Sequence, residues 1–293
     1  MSTSLPSHPE VDETVPEFRY LYGRKYHNHA SSRYVLPCDS EEIDRLHLQH
    51  YVLKLALQKN LHVPLPSMGR VLDVGCGGAT WTMDMATEMP EASFYGIDIA
   101  PIYPTAIHPR NCHFSKQDIT AGTTFDANSF DVVFQRNLSF GLTPEQWESA
   151  IAEAVRVMKP GGYFESVESD CLIHSAGPQT AKVMQVLRHM LRSQGVDPDT
   201  IHSLPAMLTK AGLEQVTLKQ YNIPLGARGG RTGQLWQQNV FAVLDVCRRR
   251  LARYANLNEE QVGEIVAEMQ REAAEDYDSY MTIYVTYARK PLV

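Results

Sequence analysis

The chain has 293 residues, 43% of them hydrophobic, which is ample for one large α/β domain with a buried core. A formal net charge of -7 argues against a protein whose main work is gripping phosphate backbones, because that work needs a surplus of Lys and Arg on one face. The five cysteines, at 38, 76, 112, 171 and 247, form no CxxC pair and no zinc spacing, so they read as reduced thiols.

The opening "MSTSLPSHPEVDETVP" is polar, without the apolar run of a signal peptide, and no segment approaches the roughly 20 apolar residues of a membrane span. The expectation is an intracellular protein, cytoplasmic or nuclear, with a disordered tail over 1–16. "EFRYLYGRKYH" then mixes aromatic and basic residues. After it, "SEEIDRLHLQHYVLKLAL" carries Ile43, Leu46, His50, Leu53 and Leu57 at helical spacing, with Ser40 as the expected cap. Residues 17–60 are accordingly a helical cover. "HNH" at 27–29 lacks a matching acid run, and no metal is assigned.

From residue 70 strands and helices alternate: "RVLDV", a helix from about Ala79 stopped by Pro90, "SFYGI", "CHFSK", "FDVVF", a helix over 144–158, then "GYFESV". Such alternation means a parallel sheet with crossover helices. The helix over 144–158 has Thr143 as cap, Pro144 in its first turn, Gln146 completing a capping box, and a stripe of Trp147, Ile151, Val155 and Met158; "KPGG" ends it. A helix over 179–194, the helical "LPAMLTKAGL" and a strand in "EQVTLKQYNIPL" follow.

The last strand, "YMTIYVTYA", alternates with period two and suits an antiparallel neighbour. Two helices precede it, one carrying Trp236, Val240 and Leu244, the other Val262, Ile265 and Met269, so 226–278 is expected to be a lid with "GARGGRTGQ" as its mobile hinge. "CRRRLAR" within it is a solvated basic face near a helix C-terminus.

The turn in "RVLDVGCGGATWTMDMA" decides the ligand class. A dinucleotide fingerprint would put a third glycine where Thr80 stands, and Asp73, two residues before Gly75, would repel a pyrophosphate. No Lys-Ser or Lys-Thr follows for a triphosphate. S-adenosylmethionine has no phosphate, and its ammonium group suits Asp73. At the next strand ends, Asp98 can accept the ribose hydroxyls with Ile99 against adenine, and Asp118 can accept from the adenine amino group with Ile119 behind it.

These residues resemble the class I S-adenosylmethionine-dependent methyltransferases in "VLDVGCGGATW", "GIDIAP", "QDI" and "VMKPGGYFESVE". Within that class, "YGRKYHNHASSRYVLPCDSEEIDRLHLQH" and the "NIPLG" to "ARKP" ending are similar to the LaeA-like fungal group, which includes small-molecule enzymes and regulators of secondary metabolism. The resemblance implies an α/β Rossmann-like seven-stranded sheet, mostly parallel with an antiparallel last strand. It places the methyltransferase domain over 61–293. It also implies S-adenosylmethionine as cofactor, with Gly75 and Gly77 at its methionine part, Gln135 and Asn137 at the pocket floor, and Tyr26 reaching toward its carboxylate, Tyr22 or Arg24 being the alternatives.

Methyl transfer from a sulfonium is an in-line displacement, so a base is needed only for a hydroxyl or a protonated amine. Glu168 and Asp170, at the end of the fifth strand, and His174 just beyond it are the candidate bases; the alternative reading has them anchoring caps. The expected partner is a small-molecule acceptor, methylated on oxygen or nitrogen, with neither nucleic acid nor membrane. A regulator acting through protein partners is the second reading, and a homodimer stays open.

Overall fold

The computed structural model describes residues 17–275 and 277–292; the expected tail over 1–16 lies outside the described residues. A short hairpin of β1 (Phe18–Leu21) and β2 (Arg24–His27) precedes α1 (Ser40–Leu57). The sheet is then built from β3 (Arg70–Val74), β4 (Ser93–Asp98), β5 (Cys112–Lys116), β6 (Phe130–Arg136), β7 (Met158–Ser169), β8 (Glu214–Pro224) and β9 (Tyr280–Arg289). Their spatial order is β5-β4-β3-β6-β7-β9-β8. β9 runs antiparallel to both neighbours and the other adjacent pairs are parallel, so the expected mostly parallel sheet with a reversed last strand is what forms.

Alternate strand residues feed two cores. Val71, Phe94, Val132 and Phe134 pack under α1, α2 (Thr80–Glu88), α4 (Pro178–Ser193), α6 (Gly230–Ala255) and α7 (Glu259–Glu275). Leu72, Val74, Ile97 and Val133 pack under α3 (Pro144–Val157) and α5 (Thr200–Lys210). Apolar residues on both faces of a strand need this two-sided helical cover. The switch of strand order between β4 and β6, on either side of β3, opens a crevice at the strand C-termini, where such sheets hold ligands.

Three local expectations shift. The segment over 17–60 contains the β1–β2 hairpin as well as a helix, turning through Tyr22 and Gly23, both at positive φ. The cap of α1 is Asp39, which accepts from the Glu42 amide and is itself gripped by Arg24 at 2.6 and 2.8 Å, rather than Ser40. And α3 stops at Val157, because Met158 turns extended and "KPGG" continues as the start of β7.

The two helices between β8 and β9 are α6 and α7, and α6 lies against α1. Within 226–234, the segment expected to be a hinge, two glycines let backbones touch. The Gly226 amide donates to the Gly233 carbonyl at 3.1 Å, and a Cβ on Gly233 would lie 2.5 Å from the Gly226 oxygen. Among the described residues no helix is long and apolar enough to cross a membrane.

Candidate functional site

A cavity of about 180 Å³ lies over the C-terminal ends of β3, β4 and β6. The glycine turn forms its floor: Gly75 sits at φ +68°, a conformation L side chains avoid, and a Cβ there would come within 2.5 Å of Leu138. The turn then enters α2 at Ala79, also left-handed, so the first amides of a helix border the space. Ile43 and Leu46 of α1 close over Gly77 and Gly78.

Asp73, Gly75, Gly77, Asp98, Ile99, Asp118, Ile119 and Asn137, all singled out in the sequence, line this cavity. Asp73 accepts from the Thr82 hydroxyl at 2.5 Å. Burial pushes its carboxyl up to about 7, against the pull of Thr82 and of Arg136. Asp98 accepts from the Gly77 and Ala100 amides, both at 2.8 Å, and burial raises its pKa also. Each of its oxygens keeps a lone pair for a further donor. Asp118 accepts from Thr120 on one oxygen and from the Ser31 hydroxyl on the other, which ties the segment after β2 across the far end of the cavity. Asn137 is left-handed and donates to Gln49 of α1 at 3.0 Å.

Five expected site residues are not brought to the cavity. Gln135 follows strand alternation: Phe134 and Arg136 point into the cavity, so Gln135 points away and donates to Ser166 at 3.1 Å. Tyr26 is buried under Arg250; of its alternatives, Tyr22 is exposed beneath Arg249 and Arg24 is held by Asp39. Glu168 accepts the amides of Leu138 and Ser139 at 3.1 and 3.0 Å, and burial raises it to about 7. Asp170 accepts from the Tyr284 hydroxyl and the Leu172 amide, and His174 stacks on Tyr280. The two carboxylates anchor backbone and side chain at the ends of β7 and β9, and none of the three lines either cavity.

Trp81 both walls the cavity and stacks on Phe134 at 3.7 Å. Arg136 and Tyr34 are wall residues that the sequence did not flag. Arg136 stands between two residues that were named, and strand alternation was the signal that should have preferred it. Tyr34 carries no local signal, since a loop and α1 bring it over the turn.

A second cavity of about 60 Å³ adjoins the first, and Tyr34, Leu46, Gln49 and Asn137 line both. Its other walls are mostly apolar: Leu36, Met184, Leu187, Met281, and Trp236, Val240, Val243 and Leu244 of α6. Trp236 thus lines a cavity as well as packing. The polar exceptions include Arg45 and Asn239, and Arg45 is satisfied by Glu42 at 2.6 Å and by Asn239 at 2.6 Å.

Residues 71–162 match the family model described as a methyltransferase domain. Among solved structures, Haemonchus contortus phosphoethanolamine N-methyltransferase 2, in complex with S-adenosyl-L-methionine, superposes with a TM-score of 0.50 at 16% identity. The match covers 88% of this chain and 54% of that enzyme, so the chain spans about half its length. Domain, sheet order and crevice together define a class I S-adenosylmethionine-dependent methyltransferase. Its sequence resembles LaeA. It is 28% identical to the secondary metabolism regulator LaeA of Aspergillus fumisynnematus, over 92% of this chain and 76% of that protein. It is 27% identical to the protein-methionine methyltransferase LaeA of Emericella nidulans, over 94% and 77%.

The larger cavity fits the cofactor by the chemistry of its donors. Asp73 is an anion for the ammonium, Asp98 has lone pairs for the ribose hydroxyls, Ile99 and Ile119 are apolar walls for adenine, and Arg136 is a cation with free donors.

Proposed function

We propose that the chain transfers the cofactor's methyl group to oxygen or nitrogen of a small organic acceptor, and that it does so by alignment, without a protein base. The observation that carries this reading is the second cavity, which adjoins the first through shared walls and is otherwise mostly apolar, with α6 along one side. A space of about 60 Å³ walled mostly by apolar side chains suits a compact, largely apolar group. The sulfonium supplies an activated methyl group; the protein has to exclude water and hold the incoming lone pair in line with it.

With Glu168, Asp170 and His174 outside the walls of both cavities, the acceptor has to arrive with its lone pair free. Neutral amines and acidic hydroxyls already ionised in water meet that requirement. Tyr34 borders both cavities, and its hydroxyl makes no hydrogen bond among the described residues, so it is the group we assign to orienting the acceptor. Burial raises its pKa, which keeps the phenol protonated and able to donate.

A methionine thioether is the second reading. The relative in Emericella nidulans is named a protein-methionine methyltransferase, and a thioether is unbranched, apolar and free of any proton to remove. Cofactor carrying a labelled methyl group, incubated with metabolite fractions and separately with methionine-containing peptides, separates the two. Label in a small molecule supports the first reading, and label in a peptide or in the protein itself supports the second. A cofactor that binds but stays intact in every mixture would sink both and point to a regulator acting through protein partners.

A further inference from the structure

Arg136 ends β6 with its guanidinium at the part of the cavity walled by Asp73 and Asn137. It is held from behind by one contact: its Nη2 lies 3.2 Å from Nδ1 of His50. A guanidinium only donates, so Nδ1 must be the bare nitrogen and Nε2 must carry the hydrogen. Nε2 then donates to Oδ2 of Asp84 at 3.0 Å. Asp84 is fixed in turn, since the same oxygen accepts from Lys54 at 2.7 Å and Asn60 at 2.8 Å. His50 has no exposed surface, and burial together with the nearby Arg136 lowers its pKa to about 4, so it stays neutral and keeps that lone pair.

Among the described residues the other donors of Arg136 have no hydrogen-bond partner. Asp73 and Glu168 attract it only through space, and burial lowers its pKa to about 10. A partly desolvated cation with one hydrogen bond is stabilised when an anion completes it, and the guanidinium fork is shaped for a carboxylate.

We propose that Asp84 and His50 are positioning residues that aim Arg136 at a carboxylate, that of the cofactor's methionine portion. This rests on the reading of the larger cavity as the S-adenosylmethionine site. The arrangement divides the labour: Asp73 takes the ammonium, Arg136 the carboxylate, and α1 couples recognition at this end to α2 through His50 and Asp84.

Two ligands isolate the carboxylate. S-adenosylhomocysteine carries it, whereas 5′-methylthioadenosine keeps the adenosine and sulfur and lacks the whole amino-acid group. By calorimetry on the intact protein, His50→Phe and Arg136→Met are expected to weaken S-adenosylhomocysteine binding by about tenfold or more and leave 5′-methylthioadenosine within about twofold. His50→Gln, whose amide can still accept from Arg136 and donate to Asp84, is expected to recover much of the loss. Unchanged 5′-methylthioadenosine binding also shows that the variants are folded. Equal losses for both ligands would mean a structural role and overturn the relay alone. Unchanged affinity for both, with a raised KM for the acceptor, would assign Arg136 to an acceptor anion and overturn it too. Wild-type protein that binds neither ligand would remove the cofactor-site reading itself, and the relay with it.

Discussion

Asp73 sits at the start of the glycine turn with its carboxyl raised to about 7 by burial, so near neutral pH the empty site is partly protonated. An ammonium beside it favours the ionised form. Binding therefore requires proton loss below that pKa, and affinity for S-adenosylhomocysteine is expected to climb with pH up to about 7 and then level. Calorimetry at pH 6 in buffers of different ionisation heat should show close to one proton released, and Asp73→Asn should show none. Equal apparent enthalpies in all buffers would refute this. At this scale legibility followed locality. Asp73, Gly75, Gly77, Asp98 and Asp118 could be placed because a strand end fixes where its last residue points. Tyr34, Asn239 and the His50–Arg136 contact join segments far apart in the chain, and no spacing within either segment announces them.

Between elements, the tie beside the second cavity is Arg45 of α1, paired with Glu42 of the same helix and with Asn239 of α6. Removing one partner of a buried ion pair leaves the other charge uncompensated, so Glu42→Gln is expected to cost about 3 kcal/mol in urea unfolding. Glu42→Leu combined with Arg45→Met should cost much less, because both charges leave together. Gly233→Ala tests the packed turn that begins α6. An exposed helical glycine gains up to about 1 kcal/mol from alanine, but here the new Cβ meets the Gly226 carbonyl, so a loss of about 1 to 3 kcal/mol is expected. A gain would restore the picture of a loose hinge. The elements themselves were mostly readable: β3, β5 and α3 lie where apolar period and capping chemistry put them. The hairpin was missed because β1 and β2 have four residues each, too few to show a period, and β1 is largely exposed.

Across the whole molecule, buried titratable groups pull stability in opposite directions. Asp73 and Glu168 are raised to about 7, so the fold binds protons that the unfolded chain has released, and their contribution weakens as pH rises from about 4 through 7. His27 and His50 are lowered to about 4, so their contribution weakens as pH falls from about 6.5 through 4. Over the shared window the two pairs offset. Glu168→Gln deletes one acid, so its stability relative to wild type is expected to improve steadily between pH 5 and 7.5 in urea unfolding. Its cofactor affinity should stay unchanged, since Glu168 is outside both cavities. A flat difference across that range would place the Glu168 pKa near its ordinary value.

The position of β9 between β7 and β8 has a consequence for how the chain is made. β8 leaves the ribosome with no place in the sheet, because the strand it must pair with begins only at Tyr280, after α6 and α7 have been synthesised. Until then the open edge of β7 and the apolar underside of α6 are both exposed, the situation in which nascent chains aggregate or recruit chaperones. Met281, on that same late strand, walls the second cavity, so that cavity and the sheet are completed in one event, late in translation.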